Sequence, residues 1–474
     1  MADLEDIYNE RVVQPLAFEG ASTSYKSGLR GLISGDADTL AARELLLLQM
    51  RSAHAIRNNG TAQAALLKYL TSLGAVKVKW TNKDGTRHDV AQEKWDLFQE
   101  NPNMDGYGTL GNTQLVWNSS IFQTGNSYTR MLVSKGAEGT VPLKLQTIPS
   151  EMHDVLYNGE SDRDNIRTGI KFVNNVPKTY YFREGLYNSL WNGSSFSSDL
   201  IKIKAEEIIH QFDRETPGQW LGIPKLASVL VSLYELDELR DATVSKQKAA
   251  QAIAWIVENT NPLSMTPTGS PIMAKDKDEK DKIVFKSSGG NTQYLNKGEK
   301  INFYQSTDIG TNLPVLISSE LRRIASSLGM PYHSLTGDTS GLDFSSLRAI
   351  AIELRTRLEF IHQFRTIPLG LGQVTKRFKE LGSLYFPIED AIATYQLPRW
   401  YGVDDLKDSQ ANLLNLSMGT TTLQRLLDER HLTFEDILAS RSMLEEVGLG
   451  HLMEGKTDAS KQVTNNEANI NSSE

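Results

Sequence analysis

The run His210-Gln-Phe-Asp-Arg-Glu-Thr-Pro-Gly-Gln219-Trp-Leu-Gly-Ile-Pro224 is where the pattern of the chain changes. Upstream, over residues 106–210, short apolar runs alternate with turn residues. Tyr128 to Val133, Val141 to Ile148, Ile170 to Val173 and Thr179 to Phe182 are divided by Gly125-Asn126, Asn158-Gly159 and Asn192-Gly193. That is the pattern of a β-rich body. Downstream, Leu226, Val229, Leu230, Leu233, Leu236 and Leu239 recur at helical spacing. Pro224 is expected at the first helical position, where its missing N–H costs nothing. Asp213 and Glu215 lead into Pro217-Gly218 and read as a polar turn between the two regimes.

Moving outward toward the C-terminus, Ala242, Ala249, Ala250, Ala252 and Ala254 continue the helix with small side chains that permit close packing. Ala254 to Val257 reads as a strand leading into Asn261-Pro262. Residues 261–300 form a small insert with the charged run Lys275-Asp-Lys-Asp-Glu-Lys-Asp-Lys282 and Gly289-Gly290, with strands at Ile283 to Phe285 and Ile301 to Tyr304. A second helix starts near Pro314. Its stripe is Ile317, Leu321, Ile324 and Leu328, and Gly329 with Pro331 ends it. Two helices therefore bracket an α/β insert. Tyr332 to Gly341 reads as a loop. Asp343 caps a long helix striped by Leu347, Ala351, Leu354, Leu358 and Ile361, which Pro368 must kink or break. The stripe resumes at Leu371, Val374, Phe378 and Leu381. Thr421 with Gln424 reads as a capping box, and Thr433 caps a helix carrying Ile437, Leu438, Met443, Leu444 and Val447, closed by Gly448.

Toward the N-terminus, Asp38 is expected to cap a helix through Ile56, stopped by Asn59-Gly60. Ala62 to Leu73 is a second helix ending at Gly74, Ala75 to Trp80 a strand, and Asn82 to Gly85 a turn. Residues 1–35 read as an irregular arm and 456–474 as a flexible polar tail. The 474 residues allow about three domains. With 39% hydrophobic and 23% charged residues the chain can bury a large core. A net charge of -8 argues against a basic domain that clamps nucleic-acid phosphates. The absence of Cys excludes disulfides, thiolate zinc sites and cysteine nucleophiles. Met1 to Glu10 has no apolar core of a signal peptide. The longest aliphatic run, Leu45 to Leu48, is far short of the roughly 20 residues of a membrane span. The expectation is a soluble protein made in a cytoplasm, with no membrane association.

No motif builds an active site. Gly370-Leu-Gly372, Gly289-Gly290 and Gly448-Leu-Gly450 lack the phosphate-loop pattern. The eight His are scattered and none forms H-E-x-x-H, so no metal or cofactor is expected. Asp276, Asp278, Glu279 and Asp281 lack the glycine and terminal glutamate of a calcium loop and are interleaved with Lys, which favours a solvated charged loop. Asp213 and Glu215 form a conceivable acid/base pair, with the polar turn as the favoured reading.

The ordered motifs resemble the lambda-type phage portal family. His210 with Pro217-Gly-Gln219 and Gly222-Ile-Pro224 is similar to that family's centre, as is Leu236-Asp-Glu-Leu-Arg-Asp-Ala242 after it. Leu328-Gly-Met-Pro-Tyr-His-Ser-Leu-Thr-Gly-Asp338, followed by Ser340-Gly-Leu-Asp-Phe-Ser-Ser-Leu-Arg348, matches too. Arg51 to Asn59, Gln146-x-Ile148-Pro and Gly169-Ile-Lys171 fall in family order, and the likeness spans about residues 36–450. Departures are Gly125-Asn126, where the family commonly has Gly-Glu, and Val403-Asp-Asp-Leu-Lys407 near the C-terminus.

The resemblance implies an α+β portal fold assembling as a ring: β-rich wing, two-helix stem, small α/β clip, long kinked wing helix and helical crown. Residues 1–223 would be arm and wing, 224–256 and 312–331 the stem, 257–311 the clip, 332–343 the tunnel loop, 344–403 the long helix and return, and 404–455 the crown. It implies a structural, non-enzymatic homo-dodecamer at one capsid vertex of the virion, assembled in the host cytoplasm. Double-stranded DNA would pass through without sequence specificity. Partners would be the major capsid protein, scaffold protein, the terminase large subunit and later a head–tail adaptor. Thr336, Gly337, Asp338, Thr339, Ser340, Gly341 and Asp343 would line the tunnel, with Asp338 and Asp343 toward the lumen. Lys275, Asp276, Lys277, Asp278, Glu279 and Lys280 would dock terminase and adaptor. Arg348, Arg355 and Arg357 read as inter-subunit ion-pair partners. The alternatives are another phage ring or adaptor component, usually shorter and without this segment order, and a cytoplasmic hydrolase using Asp213 and Glu215.

Overall fold

A computed structural model describes residues 37–134, 139–159, 165–183, 200–252, 256–259, 299–302, 313–398, 405–430 and 434–446. The chain divides into two units. One runs to Leu230 and resumes at Leu328; the other is Val231–Ser327.

The first unit begins with α1 (Ala37–Asn58) and α2 (Gly60–Leu73). Asn59 does more than stop α1: its side chain accepts from the Ala62 N–H at 2.8 Å and caps α2. Asp38 is not the cap expected of it. It lies inside the first turn of α1, and its carboxylate accepts from the backbone N–H groups of Trp220 (2.8 and 2.9 Å) and Leu221 (3.0 Å). Strand β1 (Lys77–Thr81) follows.

The stretch expected to be β-rich opens with a helix, and another precedes it. These are α3 (Asp89–Glu100) and α4 (Leu110–Thr124). The buried face of α4 carries Thr113, Gln114 and Asn118 beside Leu110, Trp117, Ile121 and Phe122. Polar residues on the inner face erased the apolar stripe that announces a helix. Strands β2 (Asn126–Val133), β3 (Leu143–Ile148), β4 (Ile166–Arg167), β5 (Ile170–Val173), β6 (Val176–Arg183), β7 (Leu200–Lys204) and β8 (Ile208–Phe212) complete the body. They form two antiparallel sheets, ordered β3-β2-β8 and β4-β5-β6-β7. Three of these strands have no counterpart among the four expected runs. In β8 all five residues are buried, so both faces are covered and the polar His210 and Gln211 lie inside as well.

In the second unit the long helix α5 (Leu230–Ala252) is preceded by a 3-10 turn, Lys225–Ser228. Pro224 precedes that turn and is not the first residue of the long helix. Its fixed φ, here -52, suits an entry into either kind of helix. Strands β9 (Ile256–Asn259) and β10 (Glu299–Asn302) pair antiparallel, and helix α6 (Leu313–Leu328) comes next. Arg323 of α6 donates to Ser232 of α5 at 2.6 Å. The arm at 1–35, the run 275–282 with Ile283 to Phe285, the caps Thr433 and Gly448, and the tail 456–474 lie outside the described residues.

Back in the first unit, Tyr332–Thr336 is a short helix (α7), so only 337–343 of the expected loop is irregular. Helix α8 (Phe344–Ile361) starts at its Asp343 cap, whose side chain accepts from the Ser346 N–H at 2.8 Å. Pro368 does not break the helical run. Residues His362–Leu371 wind as a π-helix with Pro368 inside, and α9 (Gly372–Gly382) continues without interruption. Widening the backbone ladder from i−4 to i−5 moves the carbonyl one turn back away from the proline ring. Strand β11 (Ile392–Gln396) pairs antiparallel with β1 across more than 300 residues of sequence. Helices α10 (Asp405–Ser417), α11 (Leu423–Arg430) and α12 (Phe434–Glu446) end the described chain. The cap of α11 is Thr422, accepting from Arg425 N–H at 3.3 Å, one residue beyond the expected Thr421.

The largest core cluster joins β1, α3, β3 and α9. Trp80, Trp95, Phe98 and Phe378 form one aromatic nest, with Trp95 edge-on to Phe378 at 4.9 Å. Leu371, Val374, Phe378 and Leu381 are buried there as their spacing predicts.

Candidate functional site

The segment 337–343 is a surface loop on a rigid mount. Gly337 and Gly341 have φ of +76 and +75. Asp338 accepts from Ser340 N–H at 2.9 Å, and its own N–H donates to Thr336 Oγ1 at 3.2 Å. Asp338, Thr339, Ser340, Gly341 and Asp343 are exposed. Hydrogen bonds from Ser346 and Ser345 hold the Asp343 carboxyl below the ordinary range, so it stays charged. The loop therefore presents two carboxylates to solvent at the N-terminus of α8.

The far end of that helical run is locked. In the π segment His362, Arg365, Thr366, Gly370 and Leu371 are buried. His362 Nε2 donates to Leu73 O at 2.9 Å. Arg365 donates to both oxygens of Asp213 (3.0 and 3.1 Å), to Tyr69 Oη (2.9 Å) and to Asn118 Oδ1 (2.8 Å). Lys225 lies 2.7 Å from the same Asp213. Burial alone pushes the Asp213 carboxyl up, but Arg365 and Lys225 outweigh it and hold it below its ordinary value. Asp213 is thus a structural counter-ion, and Glu215 is an exposed turn residue.

The His210–Pro224 stretch closes around this node. Gln219 Oε1 accepts from the N–H groups of Glu215 (2.8 Å) and Thr216 (3.1 Å), and its amide donates to Leu221 O at 2.7 Å, so one side chain ties the Pro-Gly turn. Asn126 bridges to Gly222 through both side-chain atoms, at 3.0 and 2.8 Å. Gly125, with φ +84, and Gly222 pack backbone to backbone. A Cβ on Gly125 would sit 2.4 Å from Gly222 O, and one on Gly222 would sit 2.1 Å from Gly125 O.

His210 belongs to a buried cluster. Its Nε2 donates to Asn126 Oδ1 at 3.1 Å, its Nδ1 faces Tyr180 Oη at 3.4 Å, and its ring stacks on Tyr128 at 4.4 Å. Tyr128 Oη lies 2.8 Å from His153 Nδ1, while His153 Nε2 donates to Gly169 O at 3.3 Å. Burial pushes His153 down to about 4 and His210 well below its usual value, so both rings are neutral. Burial also raises the hydroxyl pKa of Tyr128 and Tyr180. All four side chains are buried and bonded to one another or to backbone, which is a structural arrangement.

Of the three arginines expected between subunits, Arg355 pairs with Glu359 in its own helix at 2.7 Å. Arg357 donates to Leu328 O at 3.3 Å and lies across Gly329. Arg348 is exposed. Lys275 to Lys280 lie outside the described residues. Among those residues there is no metal-binding cluster of His, Cys, Asp or Glu, and no helix long and apolar enough to cross a membrane. Sequence reading gave Asp38 only as a helix cap and Asn126 only as part of a turn, and gave His153 and Arg365 no role. Arg365 left one signal: it occupies the next position of the stripe Leu347, Ala351, Leu354, Leu358, Ile361, a charge where the helix face calls for an apolar residue.

A model of the family described as phage portal protein, lambda family, matches residues 29–361. The chain belongs to that family. The probable portal protein of Halomonas phage phiHAP-1 is 24% identical over 432 residues, covering 85% of this chain and 81% of the relative. The portal protein of Escherichia phage N15 is 21% identical over 316 residues, covering 60% of this chain and 59% of the relative. Among solved structures, a chain from the neck of an empty gene transfer agent particle covers 86% of this chain and 97% of its own length at 13% identity, with a TM-score of 0.48.

Proposed function

We propose that this chain is a non-enzymatic structural protein of the virion that closes into a ring of about twelve copies at one capsid vertex. Double-stranded DNA enters and leaves through its channel. The observation that carries this reading, within the family, is the exposed loop 337–343 with Asp338 and Asp343, standing at the free end of a helical run locked at Arg365 and Phe378. A loop that meets moving DNA must be solvent-facing and must not be pulled out of place. Acidic groups suit a channel through which phosphates slide, because repulsion keeps the strand from adhering within a Debye length of about 8–10 Å. In this reading 1–223 is arm and wing, α5 and α6 are the stem and 257–311 is the clip. Residues 344–403 span the wing and return, and 404–455 form the crown.

The clip, with Lys275 to Lys280, is the docking surface for the terminase large subunit and then for the head–tail adaptor. The wing meets the major capsid protein and the scaffold protein, and assembly takes place in the host cytoplasm. Negative-stain microscopy with mass photometry tests the reading. Open-centred rings at about twelve times 52.8 kDa are expected. A monomer or dimer at every salt and protein concentration would overturn it.

A further inference from the structure

Helix α8 has two unlike faces. On one, Leu354, Leu358 and Ile361 line a shallow recess together with Phe122. Three cations edge it, Lys68, Lys225 and Arg357, and no carboxylate lines it. Lys225 is matched by Asp213, and Arg357 is held on Leu328 O. Lys68 has no ion-pair partner among the described residues. Such a recess accepts an apolar side chain with a carboxylate beside it.

On the other face stand Phe344, Ile352 and Phe360, followed by Phe364 in the π segment, 49, 59, 61 and 58% exposed. They are multiples of four residues apart and fall on one i±4 ridge, the kind that packs into the groove of another helix. At 3.6 residues per turn, Ile352 and Phe360 lie on average about 180° from Leu354 and Leu358. Phe360 and Phe364 already pack together, ring centroids 4.6 Å apart, into one apolar knob. Glu353, exposed beside Ile352, has no ion-pair partner among the described residues.

We propose that these two faces are the two halves of one head-to-tail contact between copies of this chain. The ridge of Ile352 and Phe360, with Glu353 at its edge, seats on the Lys68-edged recess of the next copy. Opposite faces of one helix cannot form a two-fold contact with themselves. They generate a heterologous interface, which closes into a ring when the rotation allows. The inference rests on the ring proposed as the protein's function and adds to it the residues of the seam.

The chain has no cysteine, so introduced pairs report cleanly. Ile352→Cys combined with Ser72→Cys, a recess-lining residue, is oxidised after assembly and run on a non-reducing gel. A ladder rising to the full ring is expected. Neither single variant cross-links alone, and a mixture of the two stops at dimers. Glu353→Lys and Lys68→Glu should each lower ring yield severalfold, and the double reversal should restore it. Circular dichroism checks that each exposed-site variant folds. The seam is overturned if the wild type forms rings while the double-cysteine chain shows no ladder and both charge reversals leave ring yield intact. A self-cross-link of Ile352→Cys alone, showing a face-to-face contact, overturns it as well. Absence of wild-type rings would instead mark failure of the ring reading itself.

Discussion

At the scale of single residues, the molecule depends on backbone closeness and on buried neutral rings. The Gly125–Gly222 approach leaves no room for a methyl group, and Gly125 also needs the left-handed region. Gly222→Ala and Gly125→Ala should each destabilise the first unit by at least about 2 kcal/mol, read as a lowered urea midpoint. An unchanged midpoint would mean that the strand ends move apart freely. The His153–His210 cluster gives an acid dependence whose sign is fixed. His153 titrates near 6.5 when unfolded and about 4 when folded. Between those values the unfolded chain binds more protons, so stability is full above pH 6.5 and falls as pH drops toward 4, by up to about 3 kcal/mol for this residue. Asp154, Tyr128, Tyr180, Arg214 and Asp38 are the titratable or charged groups acting on the cluster. Urea midpoints at pH 7.5 and pH 5 should diverge in the wild type and diverge less in His153→Phe, where the buried His210 keeps its own share of the acid dependence; the variant also lowers stability overall because Tyr128 Oη loses its partner. His153 and Asn126 carried no periodic signal in the sequence. His153 links Tyr128 of one sheet to Gly169 beside the other, and Asn126 links β2 to His210 and to Gly222, contacts between residues far apart in sequence that no local pattern encodes.

At the scale of elements, the long helical run is governed by Arg365. A buried guanidinium facing Asp213 is tolerated because that carboxylate matches its charge, and removing the carboxylate leaves an uncompensated ion. Asp213→Asn should cost about 3–5 kcal/mol, and Asp213→Asn with Arg365→Met should cost less than Asp213→Asn alone. A double-mutant cycle showing simple additivity would place the node's strength elsewhere. The same element shows where sequence reading succeeds. The Asp343 cap, the Gly329 stop and the buried Leu371, Val374, Phe378 and Leu381 were legible because capping and periodicity are local. The π winding at Pro368, α4 and β8 were not. Each is set by tertiary partners: Asp213 and Leu73 for the π segment, a polar inner face for α4, and burial on both faces for β8. The loop 337–343 was legible as a loop, while its short helical lead-in Tyr332–Thr336 was hidden behind Gly and Ser that also signal turns.

At the scale of the whole molecule, the net charge of -8 and the exposed carboxylates Asp338 and Asp343 lead to one prediction about transport. Asn is as good a helix cap as Asp, so Asp343→Asn keeps the start of α8 while removing a charge. Asp338→Asn likewise keeps an oxygen for the Ser340 N–H. The double variant should therefore form rings of wild-type mass and melt at the wild-type temperature; if the loop borders the DNA path as proposed, it should package DNA more slowly or to a smaller fill, because the strand would meet less repulsion there. Asp338→Lys should be worse, since a ring of cations attracts phosphates, and its defect should shrink as salt rises. Packaging assays with purified heads and motor, run at two salt concentrations, read both effects. Equal packaging by wild type, the Asn pair and Asp338→Lys would remove the loop from the DNA path. A defect that does not respond to salt would point to lost loop geometry, since only an electrostatic cause is screened.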